Sequence, residues 1–201
     1  MRRIILFCGI LILLCALFAT ADGILVRTNE KRGIELANNQ PMLFFSLGKF
    51  YFEKGEFERA SSLFSKAFGL NGDFKEALYN FGVVEYEIGN TDEAIEKISN
   101  AIELDRRYAK AYYSLGLIYF YQKDYDASIF NLQKAVEIEN SANENFDIAI
   151  AYADRFRYGK GDVSDLKNAV NYYIKADEIQ PGFPHALSNA EILGGIITDI
   201  G

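Results

Sequence analysis

The chain has 201 residues, a hydrophobic content of 50% and a formal charge of −7 at pH 7. Removal of the first 21 residues would take away two arginines and leave a charge of −9, and so acidic a chain lacks the basic surface that binds a phosphate backbone. Nucleic acid is therefore excluded as a class of partner. Both cysteines, Cys8 and Cys15, lie in the apolar N-terminus. This excludes disulfides and thiolate metal sites from the rest of the chain and suits an oxidising compartment.

The first 23 residues have the pattern of a secretory signal peptide. Arg2-Arg3 precedes an uncharged apolar run, and Ala19-Thr20-Ala21 supplies the small residues that signal peptidase accepts. We expect cleavage after Ala21, so that residues 1–21 are the signal peptide.

Two other fates of this segment stay open. A helix that continues through Ala21 would be about 27 Å long, close to a hydrocarbon core of about 30 Å, so an uncleaved anchor is the main alternative. Lipidation at Cys15 fits less well because bulky Leu13-Leu14 precedes it. In each case we expect an exported protein, periplasmic or envelope-associated, with attachment to the inner membrane through residues 4–21 if the segment is retained.

After this segment the sequence repeats itself every 34 residues. Small residues recur at three positions of the repeat, and large apolar residues recur between them. The matching sets are Gly48, Gly82 and Gly116; Ala60, Ala94 and Ser128; Ala67, Ala101 and Ala135; Phe44, Leu78 and Tyr112; and Leu47, Phe81 and Leu115. A 34-residue period of helical pairs with small residues at fixed positions resembles the tetratricopeptide repeat (TPR) family. The resemblance implies an all-α, right-handed superhelical solenoid of helix-turn-helix repeats.

The repeat predicts the organisation of the chain. Residues 24–40 resemble the second helix of a degenerate half-repeat and would form an N-terminal cap. Four units follow, at 41–74, 75–108, 109–142 and 143–183. Residues 184–201 form a C-terminal capping helix. All three prolines, Pro41, Pro181 and Pro184, fall at unit junctions.

The fourth unit contains seven extra residues near 155–163. Phe146 stays 34 residues beyond Tyr112, but Ala169 lies 41 residues beyond Ser128. The insertion is either a functional loop or a lengthened turn without a role, and its Gly159 and Gly161 provide no binding chemistry.

The C-terminal helix has more apolar residues than a cap needs. We expect Leu187, Ala190, Leu193 and Ile197 to pack on the fourth unit. A second stripe of Ile192, Ile196 and Ile200 is left over, whereas terminal repeats usually present a polar outer face. This stripe predicts docking on another chain or on a second copy.

The sequence offers little catalytic chemistry. The one histidine outside the N-terminal segment, His185, has no evident nucleophile beside it and is expected at the surface. The spacing of a phosphate-binding loop is missing around Gly159 and Gly161, and Asp162 and Asp165 are too few for a calcium loop. We therefore expect a non-enzymatic protein without a metal or another cofactor.

The resemblance implies a ligand site on the concave surface formed by the first helix of each unit. Projected onto this sequence, the candidate partner-binding residues combine an aromatic cluster with two lysines. They are Phe45, Lys49, Phe52, Tyr79, Asn80, Val83, Tyr86, Lys110, Tyr113, Leu117, Phe120 and Tyr121. In the fourth unit the same face becomes polar, with Glu144, Asp147, Asp154 and Arg155. An exposed cluster of tyrosine and phenylalanine is typical of an interaction surface, although each ring alone is as well explained by packing.

Some TPR proteins hold the acidic C-terminus of a chaperone with five residues: two lysines, two asparagines and an arginine. Asn80 and Lys110 match that set, whereas Phe45, Lys49 and Ser114 depart from it. Two matches do not carry that activity over to this chain.

The sequence thus predicts an exported, non-catalytic scaffold that binds a protein or peptide segment in an aromatic concave groove. The alternative is a membrane-tethered structural subunit of an envelope assembly or transport complex that acts through its C-terminal helix. Binding of a small ligand together with a partner protein is a third possibility if the groove is narrow.

Overall fold

The computed structural model describes residues 40–159 and 161–200, and every regular element within them is an α-helix. The expected signal peptide or anchor, and all of the expected N-terminal cap except residue 40, lie outside the described residues. The described helices are α1 (Pro41–Glu53), α2 (Phe57–Leu70), α3 (Lys75–Ile88), α4 (Thr91–Leu104), α5 (Ala109–Tyr121), α6 (Tyr125–Ile138), α7 (Ala142–Tyr158), α8 (Val163–Ile179) and α9 (Ala186–Ile200).

Each helix packs mainly on the helix before it and the helix after it, from α1 to α9. Such nearest-neighbour packing defines a solenoid, in which each unit buries its apolar face against the next. The core is correspondingly divided into clusters along the chain. The predicted all-α solenoid is confirmed. In every pair, the odd-numbered helix is the first helix of its unit and the even-numbered helix is the second.

Glycines allow the two helices of a unit to lie in direct contact. A Cβ atom added to Gly82 would stand 2.7 Å from Cγ1 of Ile98 and 2.9 Å from the Ala94 carbonyl oxygen. Added to Gly48 or Gly116, it would meet the side chain of Phe64 or Leu132 at 2.8 or 2.6 Å. These distances are too short for any side chain larger than hydrogen, so the recurring glycine sets the distance between the two helices.

The insertion in the fourth unit lengthens its helices and does not form a long loop. Helix α7 continues to Tyr158, three residues beyond Arg155, the equivalent of the last residue of α5. Helix α8 begins at Val163, three residues before Leu166, the equivalent of the first residue of α6. The longer helices therefore place the new α7–α8 turn beyond the other turns of the array.

Arg155 fixes these extended helices. Its Nη2 and Nε donate to the two carboxylate oxygens of Asp165, at 2.5 and 3.1 Å, and its Nη1 donates to Asp126 at 2.5 Å. Asp165 is 2% exposed, so its charge depends on this bidentate pairing. The hydrogen bond to Asp165 raises the pKa of the Arg155 guanidinium. Arg155 thus joins α7 to α8 and to the start of α6, and its guanidinium is engaged in these hydrogen bonds.

The last helix closes the array through small residues. Ala186 and Ala190 are buried against the fourth unit, and Leu193 packs beside them. The expectation that Leu187 packs there as well was wrong, because Leu187 is 49% exposed. Its position corresponds to buried Phe44 and Leu78, which pack on the second helix of their own units, and no helix follows α9 among the described residues. Ile192, Ile196 and Ile200 are exposed.

Within residues 40–159 and 161–200, no helix combines the length and the apolar character needed to span a bilayer.

Replacement of Gly82 by alanine is expected to destabilise the fold by about 1–3 kcal/mol, because the added methyl group overlaps Ile98 and the Ala94 carbonyl. Urea unfolding followed by circular dichroism measures the change. Gly69 is the matched control: it lies in α2 with open space around it, so Gly69→Ala should be neutral or stabilising by up to about 1 kcal/mol. Equal effects at the two glycines would contradict the close-contact role of Gly82.

Replacement of Arg155 by methionine is expected to destabilise the chain by about 3 kcal/mol, since it leaves the buried Asp165 carboxylate without its cation. Asp126→Asn removes the other, 84%-exposed partner of the same arginine and should change stability by less than about 1 kcal/mol. Urea unfolding distinguishes the two variants. If the effects of both are small, Arg155 does not hold the extended helices together.

Candidate binding groove

The first helices α1, α3, α5 and α7 carry the predicted binding residues at equivalent positions. We call this surface the groove face. Its residues come from neighbouring units, as a small cavity of about 180 Å³ shows. Val83 and Tyr86 of α3 line one side of this central cavity, and Leu117 and Tyr121 of α5 line the other, with Ile98 of α4 between them. Four predicted site residues therefore meet around one apolar depression.

Tyr121 is the most accessible of the predicted aromatic residues. Its side chain is 69% exposed, while its ring packs edge-on against Phe120 at a centroid distance of 5.7 Å. Phe120 in turn packs on Tyr125, so the ring beneath Tyr121 is fixed by the core. A large, exposed aromatic ring on a fixed base suits a contact surface, because ordering it costs little side-chain entropy.

The aromatic residues at the N-terminal side of the groove face are used mainly in packing within the first unit. The Phe45 ring lies 5.6 Å from that of Phe64 and 4.9 Å from that of Phe74. Phe52 packs on Phe57. All of these predicted residues are half-buried, so they form the base of the surface and expose only part of each ring.

Two tyrosines link consecutive first helices through their hydroxyl groups. The Tyr79 hydroxyl lies 2.9 Å from the Ser114 hydroxyl oxygen, and its ring packs on Tyr108. The Tyr113 hydroxyl donates to Oδ2 of Asp147 at 2.6 Å. Burial raises the pKa of both tyrosines. Both hydroxyls are therefore neutral donors or acceptors at physiological pH. They hold the first helices of consecutive units in register.

The polar residues predicted for the groove face are separated by the structure. Lys49 and Lys110 are exposed. The Asn80 amide donates to the Glu76 carbonyl of its own helix at 2.6 Å, so it is committed to α3. Lys110 lies beside a second cavity of about 470 Å³ at the N-terminal ends of the first helices, lined by charged side chains that include Lys75 and Asp105.

The groove face turns acidic on α7. Glu144, Asp147 and Asp154 project from this helix, and burial raises the pKa of each carboxyl group. One oxygen of Glu144, Oε2, is buried without a hydrogen-bond partner. Arg155, which the sequence placed on the same face, instead points to Asp126 and Asp165.

A third cavity, which we call the C-terminal cavity, extends the groove face to the last helix. It measures about 270 Å³ and lies between Ile150, Ala153 and Asp154 of α7 and Asn189, Ile192 and Leu193 of α9, with Tyr173 of α8 also in its lining. Sequence reasoning assigned Ile192 to an outer stripe and missed this role. The signal was present: allowing for the insertion, Ile192 occupies the repeat position of Val83 and Leu117.

The groove face shows no constellation of a metal centre. In the part of the chain that the structure describes, no group of three or more histidine, cysteine or acidic side chains is arranged to hold an ion. His185 is exposed at the start of the last helical segment, with a φ of 64°. What the surface offers is apolar area, hydroxyl groups and carboxylates, which are groups for binding.

Comparisons with known proteins agree with this geometry. A family model described as a TPR repeat matches residues 82–122, and models described as tetratricopeptide repeats match residues 109–142 and 43–74. Among curated proteins, none matches this chain in sequence.

Solved structures extend the match over most of the chain. A crystal structure of MamA is 28% identical, covers 75% of this chain and 84% of its own, and superposes with a TM-score of 0.66. A second MamA structure is 24% identical, with coverage of 81% and 86% and a TM-score of 0.66. YrrB, described as a TPR protein with an unusual peptide-binding site, is 20% identical, covers 84% of each chain and has a TM-score of 0.67.

The 34-residue repeats, the stacked helical pairs and these matches agree: the chain belongs to the tetratricopeptide repeat family, and its fold is that of a protein-interaction scaffold.

Proposed function

We propose that this protein binds a peptide segment of a partner protein along the groove face. The central cavity carries the proposal, because it brings apolar side chains of two units around one depression and leaves Tyr121 69% exposed. A cavity of about 180 Å³ is small for a whole metabolite, since ligand pockets usually measure about 300–1,000 Å³. It is the right size for one or two side chains of a longer segment.

The shape of the surface supports a peptide over a globular partner. Central and C-terminal cavities lie on the same face, separated by α5 and α7, and each has its own apolar lining. A segment laid across the first helices would place separate side chains in separate cavities, which is how peptides gain specificity from a repeat surface. The peptide-binding site of YrrB, a protein of the same fold, is consistent with this use.

The proposed binding is non-catalytic and takes place outside the cytoplasm. The location is inferred from the N-terminal sequence alone, and it stays a prediction until the N-terminus of the mature protein is determined.

A photo-crosslinking amino acid at position 121 is expected to trap the partner in the cells that produce the protein. Phe130 provides a matched control, since it is 58% exposed and lies on α6, a second helix. The same cross-linker at position 130 should give no such product. Val83→Asp, which places a charge in the central cavity, should abolish the product at position 121, because the charge must lose water when the ligand binds.

Mass spectrometry of the product identifies the partner and the segment that is bound. A product at position 130 but none at position 121 would contradict binding at the groove face. So would a product at position 121 that survives Val83→Asp unchanged.

The exposed isoleucines of α9 favour a second candidate function, a structural subunit that associates through its last helix. Ile192, Ile196 and Ile200 are 62%, 37% and 52% exposed. Because Ile192 lines the C-terminal cavity, ligand binding and self-association would compete for one part of this helix.

Light scattering at increasing concentration tests that alternative. If α9 mediates association, Ile196→Asp should convert a concentration-dependent mass into that of the monomer, because burying the new charge is unfavourable. Leu70→Asp is a control at a similarly exposed residue, 40% accessible, on α2, and it should have no effect. A constant monomeric mass of the unmodified protein would exclude self-association through α9.

A further inference from the structure

The groove face changes its chemistry along the chain at equivalent positions. The repeat position of Tyr79 and Tyr113 is occupied by Asp147 on α7, and that of Tyr86 and Phe120 is occupied by Asp154. Two aromatic positions have thus become carboxylates in one unit. The helices on either side of α7 remain apolar at this face, with Leu117 and Tyr121 on α5 and Ile192 on α9.

These carboxylates are partly withdrawn from water. Asp147 accepts the Tyr113 hydroxyl at 2.6 Å, and Glu144 keeps a buried Oε2 without a hydrogen-bond partner. Asp154 borders the C-terminal cavity together with Arg157, whose charge partly compensates it. A carboxylate in such surroundings interacts more strongly with a cation than a fully hydrated one does, because less water screens it.

The positive charges near this row do not neutralise it. Arg155 is committed to Asp165 and Asp126 on the other side of α7. Two other cations, Arg157 and exposed Lys110, compare with three carboxylates, Glu144, Asp147 and Asp154. Carboxylates are therefore in excess on this part of the face. The chain as a whole carries a formal charge of −7, which attracts cationic partners at long range.

We propose that the groove selects a cationic, amphipathic peptide segment in which a lysine or arginine is flanked on both sides by apolar residues. The apolar side chains would enter the central cavity and the C-terminal cavity. Lysine or arginine side chains between them would meet Asp147 and Asp154, which lie about two turns apart on α7. This inference rests on the proposed function, because it specifies the chemistry of the segment that the same surface binds.

The carboxylates of α7 lie between the two cavities, and this explains why the ligand must combine a cationic side chain with flanking apolar ones. A purely apolar segment would cover the α7 carboxylates and leave them desolvated without a partner, which is unfavourable. An acidic segment would add like-charge repulsion at the same place. A lysine or arginine side chain avoids both costs, since its aliphatic stem can lie on Leu117 or Ile150 while its charge reaches the carboxylates.

Three short synthetic peptides test the proposal. Each carries a fluorescein label and a leucine pair on both sides of a central pair, which is lysine, serine or glutamate. Fluorescence anisotropy with the full-length protein measures the dissociation constants. We expect the lysine peptide to bind about tenfold or more tightly than the serine peptide, as charge-assisted contacts to two carboxylates require. The glutamate peptide should bind more weakly than both.

The double variant Asp147→Asn with Asp154→Asn should remove this preference. It should weaken binding of the lysine peptide about tenfold and leave binding of the serine peptide unchanged. Asparagine keeps an oxygen that can accept the Tyr113 hydroxyl, so the fold is expected to be retained, and circular dichroism of the variant checks this. Glu103→Gln is the matched control, because Glu103 is exposed on α4, a second helix, and its loss should change no affinity.

The results separate the ligand chemistry from the groove itself. Equal affinities of the lysine, serine and glutamate peptides, or a lysine preference that survives the double variant, would overturn the proposed ligand while leaving a peptide-binding groove in place. If no peptide binds but the cross-linker at position 121 still traps a Val83-dependent partner, the proposed ligand is again wrong. If both experiments fail, the proposed function is overturned as well.

Discussion

The fold depends on how closely the two helices of each unit approach one another. A glycine on the first helix faces a bulky residue on the second: Gly48 faces Phe64, Gly82 faces Ile98 and Gly116 faces Leu132. Each contact buries a large apolar side chain against backbone, and isolated helices of this length are marginal in water. Since the two helices of each of the first three units are held at close contact in the same way, each of these units places the next one similarly. A continuous groove face is the consequence.

The fourth unit shows what happens when this constraint is relaxed. Ile150 occupies the position of the three glycines, and Tyr173 occupies that of Phe64, Ile98 and Leu132. The contact between α7 and α8 therefore involves two large side chains, which belong to one apolar cluster. A cavity of about 270 Å³ lies beside Ile150 and Tyr173, and Arg155 supplies a bidentate ion pair that the other units lack at this position. The changed packing and the cavity thus involve the same two residues.

The fold could be predicted from sequence because its determinants recur. One glycine, two other small residues and a few apolar positions appear at equal spacing in three units, and such repetition indicates helix pairs without knowledge of long-range contacts. The fate of the insertion could not be predicted in this way. Its seven residues continue both helices because Asp162 accepts from the Ser164 amide at the start of α8 and Arg155 pairs with Asp165, and neither contact belongs to the repeat.

The candidate site was only partly predictable for a related reason. The repeat position shows that Tyr79, Tyr113 and Tyr121 share a face, but it does not show where each hydroxyl or ring points. In the structure, the hydroxyls of Tyr79 and Tyr113 bond to the first helix of the next unit. Tyr121, about two turns beyond Tyr113 on α5, stays exposed. The part of Ile192 in a cavity lining was missed because the insertion shifts the register of α9 by seven residues.

Under the proposed function, the aromatic residues of the groove face would serve stability and recognition together, and this limits how the surface can vary. Phe45 packs on Phe64 within the first unit, and Tyr79 and Tyr113 join consecutive units, so replacing them would loosen the array as well as alter the candidate site. Tyr121 and Asp154 are less constrained by packing: the ring is mostly in water, and Asp154 borders an open cavity. Under the proposed function, specificity would therefore lie in the residues that the stacking of units leaves free, which change from an exposed aromatic ring on α5 to a carboxylate on α7.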